Sequence, residues 1–494
     1  METRSPLSRK PLSSLKRFLF WSVTLVIALP CIFVGSASAL YYYKHRALYN
    51  NSPISPLAIL PHPTAQTRLL VFAPHCDDDI LGGAGLIQQT LKSGGKVQVV
   101  MLTNGDGFRT AVQRQERRFR LEPKDFVRFA EKRQREAVQG LKGLGVAEQD
   151  VLFLGYPDRG LMPIWNGYWS SAQPYTSRYT RCTTCPYPNS LNRRAVYIGE
   201  SVLGDIEQVM ERFQPTLVTV THPADDHGDH AAGSAFVTLA LKQLQQKAAT
   251  QKWAQATQIE YYLIHRGDWP PQNDKALAPP LEMAHLDTLW KTLPLEEQEQ
   301  RQKQISLSAH ASQLAMSRPF LVTFLRQNEL FGELQTETVF QMPPNRMKLD
   351  GSGKDWEGIP SIFRYPVNDS FLRSAQAGGD MEALGLCRDE VNLYVRLAFS
   401  ASIGRQYRYF LNLRAFTAEG ETPPQALRLA LHDAGGLKRR GILRSIHANT
   451  LEIALPLKLI EAKAGRNLTL LALSVESYVA SLEIDKTGIC LLKY

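Results

Sequence analysis

The residues best equipped for chemistry fall in two short stretches of this chain. The first is APHCDDDILGG, residues 73–83, which sets His75 beside Asp77, Asp78 and Asp79. The second is HPADDHGDH, residues 222–230, which offers His227, Asp229 and His230. Imidazoles and carboxylates crowded at one strand end cost stability unless a cation neutralises them, so the first inference is a bound metal. A zinc site built for hydrolysis takes three protein ligands from His and carboxylate and keeps a position for water. A nearby carboxylate can take that water's proton, and a His–carboxylate pair can stabilise an oxyanion and protonate a departing amine. Together the two stretches contain enough groups for each role, with a carboxylate left to orient a histidine from behind.

Both stretches lie where an apolar run gives way to a helical pattern. Strand 68–73 leads into the first, followed by a helix over 81–93; strand 216–221 leads into the second, followed by a helix to about 245. Between them come strand 96–103, which ends in Asn104-Gly105-Asp106-Gly107, a charged helical region over 108–144, strand 151–154 and a helix over 197–213. Strand 259–264 ends at His265, residues 294–314 read as a polar helix, and the domain closes near 335. This alternation predicts an α/β, Rossmann-like, mostly parallel doubly wound sheet over 67–335, a fold that binds ligands at the C-terminal ends of its strands. Beyond Pro343 the pattern changes to alternating strands (NLYVRLAF, YRYFLNLRAF, TLEIALP), which predicts a C-terminal all-β sandwich over 345–494.

The chain has 494 residues and a net charge of +10. Part of that charge is a basic tail over 1–17, which precedes an uncharged apolar segment, residues 18–43, long enough to cross a bilayer. That order predicts a membrane anchor with the rest of the chain outside the cytoplasm; Ala37-Ser38-Ala39 also offers a signal-peptidase site, so a cleaved secreted form stays open. The Pro-rich stretch 44–66 reads as a linker.

Six cysteines are too few for a disulfide scaffold. In an exported protein Cys182-x-x-Cys185 reads as a local disulfide, and Cys387 and Cys490 have the option of pairing. The loop over 160–195, with Trp165, Tyr168, Trp169, Tyr175 and Tyr179, suits either stacking on sugar rings or packing on itself. His222 reads as structural. Gly82, Gly83 and Gly85 do not follow G-x-G-x-x-G, and the aspartates before them would repel a pyrophosphate. The basic run from Arg109 to Arg135 is interspersed with acids, which argues for a solvated helix and against nucleic acid.

The strand followed by PHCDDD resembles the His-Pro-Asp-Asp-Glu motif of PIG-L (LmbE-like) zinc N-deacetylases, and HGDH at 227–230 resembles their His-x-Asp-His motif. TNGDG at 103–107, Arg133-x-x-Glu136 and FLGYPDRGL at 153–161 are similar to further family stretches. The resemblance spans about 68–335. It implies that His75, Asp78 and His230 ligate Zn²⁺, that Asp77 is the general base, and that His227, steadied by Asp229, polarises the oxyanion and acts as general acid. It also implies an N-acetyl amino-sugar or glycan substrate, with Asp106, Arg133 and Asp158 as candidate substrate contacts; His265, which ends a strand in the same orientation, is a further candidate contact. Two positions depart from the motif: Cys76 replaces proline and puts a thiol near the metal, and Asp79 replaces glutamate.

The stretch DGSGKDWEGIP resembles the opening of family 9-like carbohydrate-binding sandwich domains, which implies glycan binding by the C-terminal region. Two other functions compete with deacetylation. One is a phosphoester hydrolase using the aspartates for Mg²⁺ or two metals, and the other is a glycan-binding surface protein with an inactive hydrolase domain.

Overall fold

The computed structural model describes residues 56–494, apart from 171, 271–274, 281–282, 284–287, 336–337, 345, 352, 418–424 and 465–467. The expected basic tail, the apolar segment 18–43 and the linker up to residue 55 lie outside the described residues. Among the described residues no helix is long and apolar enough to cross a membrane.

The strands of the first sheet are β1 (Ala58–Ile59), β2 (Arg68–Ala73), β3 (Lys96–Thr103), β4 (Val151–Tyr156), β5 (Leu217–Thr221), β6 (Gln258–Tyr262), β7 (Thr288–Pro294) and β8 (Asn328–Leu334). They lie in the order β4-β3-β2-β5-β6-β8-β7-β1. From β4 to β6 every pairing is parallel, whereas β8 runs antiparallel to both β6 and β7. Strand β2 is apolar on both faces because helices cover both, as a parallel sheet requires.

The helices are α1 (Asp78–Lys92), α2 (Arg109–Glu116), α3 (Pro123–Gly143), α4 (Leu161–Gly167), α5 (Gly199–Phe213), α6 (Gly228–Leu244), α7 (Gln251–Ala256), α8 (Glu297–Ser308) and α9 (Ala311–Leu321). The long helical region expected over 108–144 is two helices. Arg117 ends α2 in the left-handed region, and α3 restarts at Pro123 behind a capping box made by Glu122 and Asp125. The polar helix expected over 294–314 is likewise two, α8 and α9. Strands β7 and β8 were not expected; TLWKTLP and NELFGEL mix polar and apolar residues without a clear period.

Close packing places α1. A Cβ on Gly82 would come within 2.2 Å of the Tyr262 ring, so glycine lets α1 lie against β6, a packing role and not a phosphate cradle. On its other side α1 meets a buried ion pair: Lys303 Nζ lies 2.8 Å from Glu329 Oε1 and donates to Leu81 O. Glu329 in turn accepts the N–H groups of Gly85 and Leu86.

The C-terminal region holds two further sheets. One contains β9 (Phe340–Gln341), β10 (Ser361–Arg364), β11 (Met381–Arg388), β12 (Asn392–Phe399), β15 (Leu443–His447) and β16 (Thr450–Pro456). The other contains β13 (Tyr407–Thr417), β14 (Gln425–Ala430), β17 (Leu468–Val479), β18 (Leu482–Lys486) and β19 (Cys490–Lys493). Phe399 of the first sheet and Tyr409 of the second touch with ring centroids 4.7 Å apart.

The described residues form one compact unit, and one apolar core runs through both regions. Phe416, Leu470, Ala472 and Ile489 join Trp165, Trp169 and Phe236 in it. The Arg414 guanidinium lies 4.7 Å from the centre of the Trp169 ring, and Arg414 donates to the carbonyls of Trp165 and Asn166. Trp165 and Trp169 are therefore core residues, which decides for them between sugar stacking and self-packing.

The buried Lys303–Glu329 pair gives a stability test. Lys303→Met leaves the Glu329 carboxylate uncompensated and should cost about 3–5 kcal/mol in urea unfolding. Adding Glu329→Gln should restore a good part of that loss, because the buried charge goes with it.

Candidate functional site

Strand β2 feeds helices towards one edge of the sheet and β5 towards the other, so the gap between them is the topological switch point, where such sheets bind ligands. The two chemical stretches leave β2 and β5 side by side. Asp78 and Asp79 form the first turn of α1, where the positive end of the helix dipole favours carboxylates.

Three atoms then converge. His75 Nδ1 is 3.2 Å from Asp78 Oδ2 and 3.1 Å from His230 Nε2, and His230 Nε2 is 3.1 Å from Asp78 Oδ2. Ligand atoms about 2.0–2.1 Å from a tetrahedral zinc are separated by about 3.4 Å, so this nearly equilateral N, N, O triangle fits three sites of such an ion. Two overlapping sets also bring their donor atoms within 4.8 Å of one another: His75, His227 and His230, and His75, Asp158 and Asp229. His75 is common to all of them.

Carboxylates stand behind both histidines. His75 Nε2 lies 3.4 Å from Asp158 Oδ1 and 3.4 Å from Asp229 Oδ2, and His230 Nδ1 lies 3.2 Å from Asp225 Oδ2. Such partners fix the orientation of a ligating imidazole and raise its basicity. Burial by itself would lower the pKa of His75, but Asp158, Asp229 and Asp78 outweigh it and hold the group well above its ordinary value. His230, opposed by burial and favoured by Asp225 and Asp78, is pushed up to about 10. Asp78 is held low despite burial by His230 and His75. The pocket thus stabilises positive charge at the triangle, which agrees with a divalent cation there.

Asp77 lies beside the triangle and is 7% exposed. Its Oδ1 accepts a 2.9 Å bond from Arg133 Nη2, while Arg133 Nη1 donates to Gly105 O. Burial raises the Asp77 pKa and Arg133 opposes the rise. Gly105 has φ +65°, and a Cβ there would overlap the Arg133 guanidinium at 1.6 Å, so glycine is required twice over.

The surroundings of the other expected residues are specific. Arg133 is 4% exposed and bonds Asp77 and Gly105 O, so in this structure it orients the Asp77 carboxylate. Asp106 is fully buried, accepts from the Tyr187 hydroxyl and the Asp158 N–H, and burial beside Asp158 pushes it up to about 7, so its hydrogen bonds here are all to protein groups. Asp158 faces His75 Nε2 and accepts the Gly107 N–H, so it backs a candidate ligand. The Asp229 carboxylate does not steady His227. It accepts the N–H groups of Arg159 and Leu161 and faces His75, and its only link to His227 runs the other way, from its backbone N–H to His227 Nδ1 at 3.3 Å. His227 is therefore the N-cap of α6, with Nδ1 as acceptor. The Cys76 thiol points at Thr103 O, and burial raises its pKa, which leaves it unreactive. No disulfide joins Cys182 to Cys185 or Cys387 to Cys490. Cys182 Sγ faces Thr180 O, whereas Cys185 is buried against Gly155.

His265 is half-buried, its ring 5.1 Å from that of His230 and stacked on Phe320 at 5.0 Å. Asp225 escaped the sequence reading although it belongs to the same ADDHGDH run; its neighbour in that run, Asp226, was passed over as well. His222 is structural, as expected: its Nδ1 accepts the Ala224 N–H, and its ring stacks on Trp290 at 5.4 Å.

With this geometry described, the comparisons with known proteins can be placed. Residues 70–241 match the PIG-L family, described as GlcNAc-PI de-N-acetylase, so this stretch is a PIG-L/LmbE-like deacetylase domain. No curated protein matches the chain significantly. Similar solved structures include the A40926 pseudoaglycone deacetylase Dbv21 (18% identity, 55% of this chain and 98% of that one, TM-score 0.35). Others are the N,N'-diacetylchitobiose deacetylase from Pyrococcus horikoshii (17% identity, 53% and 82%, TM-score 0.33) and the 4-carboxy-2-hydroxymuconate hydratase GalB from Pseudomonas putida KT2440 (15% identity, 52% and 82%, TM-score 0.33).

Two measurements check the site. Metal analysis after zinc loading should find one ion per chain, lost in His75→Ala and His230→Ala. Asp225→Asn, which leaves the triangle intact, should weaken zinc affinity about 10–100-fold. The second concerns His222, whose pKa burial lowers to about 3. Its unfolded value is about 6.5, so the unfolded chain binds the extra proton between these limits, and stability falls as pH drops from about 6.5 towards 3. Urea unfolding of His222→Asn across that window should show a shallower slope than the parent.

Proposed function

We propose that the protein is a zinc-dependent N-deacetylase that hydrolyses the N-acetyl group of an amino-sugar-containing glycan or glycoconjugate. The observation that carries this reading is the His75–Asp78–His230 triangle with the Asp77 carboxylate held beside it. The family match over 70–241 supports the same reaction class. His75, Asp78 and His230 would hold the zinc, which when bound supplies Lewis acidity for water and for the acetamide carbonyl.

The side chains account for the remaining steps. Asp77, kept basic by burial and ionised by Arg133, takes the proton of the attacking water as oxygen bonds to the carbonyl carbon. His227 accepts the Asp229 N–H at Nδ1, which puts its own proton on Nε2. That N–H donates to the carbonyl oxygen as it gains charge. Because Nδ1 is occupied as an acceptor, His227 does not carry the second proton a general acid would need. The proton for the departing nitrogen therefore returns from Asp77, the C–N bond breaks, and acetate and the free amine leave. His265, half-buried beside His230 and stacked on Phe320, is placed to contact the sugar.

The basic tail and apolar segment of the sequence support an exported, membrane-anchored form acting outside the cytoplasm. The test is acetate release from N-acetylglucosamine-containing glycans by zinc-loaded protein. Asp77→Asn should lower kcat at least 100-fold while zinc content stays unchanged, in line with the loss of a general base. Phosphate release from phosphoesters in place of acetate would overturn the assignment.

A further inference from the structure

The C-terminal region reaches the hydrolytic loop through a buried charge network. Asp226 lies between Asp225, which backs His230, and His227. Its Oδ1 is 2.8 Å from Arg373 Nη2 and 3.1 Å from Arg266 Nη1, and its Oδ2 accepts the Gly267 N–H at 2.7 Å. Arg373, in the short helix α10 (Phe371–Ala375), is 6% exposed and also bonds Asp369 at 2.8 Å and Asp485 at 2.9 Å. Arg266 completes the ring with Asp369 at 3.2 Å.

Backbone contacts reinforce the grip. A Cβ on Gly488, between β18 and β19, would lie 1.9 Å from Pro223 O, so the C-terminal backbone rests directly on the start of the loop. Asp369 O accepts the Asp268 N–H, and a Cβ on Gly267 would come within 2.4 Å of the same oxygen. Both strand-end loops, after β5 and after β6, are therefore pinned from beyond residue 365.

A buried guanidinium shared among three carboxylates is costly to break, because removing one partner strands charge away from water. A separable glycan-binding module would not need such a joint next to the reacting groups.

We propose that Arg373 is a positioning residue for the hydrolytic site. It holds the Asp226 carboxylate and thereby fixes the 225–230 turn: the Asp225 carboxylate accepts the His227 N–H, and His227 caps α6, so the settings of His227 and His230 follow from where Asp226 is held. The C-terminal region is then part of the active-site framework. The catalytic consequence rests on the deacetylase reading; the loop placement does not.

The test uses the full chain and compares Arg373→Gln, Arg373→Lys, Asp226→Asn and the Arg373→Gln/Asp226→Asn pair by two measurements. One is hydrogen–deuterium exchange of the amides in 222–231, and the other is acetate release under saturating zinc. Arg373→Gln and Asp226→Asn should each speed exchange there at least tenfold and lower kcat at least tenfold, with KM within threefold. The double variant should be no worse than the worse single one, and Arg373→Lys should recover part of the loss. Folded variants whose exchange at 222–231 stays within twofold of the parent would overturn the proposal. So would variants with a lowered Tm but parental kcat, the mark of a merely structural role. Should Arg373→Gln not fold, Asp226→Asn, whose side chain is 24% exposed, decides alone. A parent that releases no acetate from any glycan sinks the deacetylase reading, while the exchange result still decides whether Arg373 places the loop.

Discussion

Concentrated negative charge at the end of β2 and β5 governs this structure. Asp77, Asp78, Asp158, Asp225 and Asp229 are all buried within reach of His75 and His230. No set of carboxylates stays ionised in such a place without compensation. The fold answers with a position for a cation at the triangle, with Arg133 against Asp77, and with the amino ends of α1 and α6 directed at the cluster. The sequence distance between the two stretches is closed by topology alone, because β5 is the strand that lies next to β2 on the switch side.

Compensation also explains which side chains are catalytic candidates and which are supports. Asp158, Asp225 and Asp229 face the far nitrogens of the two histidines or cap loops, so each keeps the imidazoles in one orientation. Asp77 alone stands beside the triangle with an arginine partner that tunes it. Chemically similar aspartates in neighbouring positions thus divide into one reagent and several braces by what each touches.

The sequence made much of this legible, and the reasons it stopped short are physical. Strand β2, strand β5 and both histidine stretches announce themselves because buried parallel strands are uniformly apolar and the ligand types follow them at once. His75, Asp78 and His230, which the motif resemblance implied as ligands, converge in one triangle. The direction of the Asp229 carboxylate was not readable, because in HGDH it competes between the neighbouring ring and the amides of Arg159 and Leu161, which fold in from a segment 68 and more residues away. Strands β7 and β8 were hidden by mixed composition at the antiparallel side of the sheet. Arg373 gave no signal: a single arginine in a short helix looks like surface until the fold brings Asp226, Asp369 and Asp485 around it.

The continuous core has a consequence for how the chain is made. The α/β part leaves the ribosome first, with part of the apolar surface of α6 and Trp169 uncovered and Asp226 paired with Arg266 but lacking the Arg373 guanidinium. Those surfaces are covered only when Phe416, then Leu470, Ala472 and Ile489 arrive. Between the emergence of α6 and that of the strands carrying Phe416 to Ile489, the nascent chain therefore exposes an adhesive apolar patch, and burial of its core waits on the C-terminal strands.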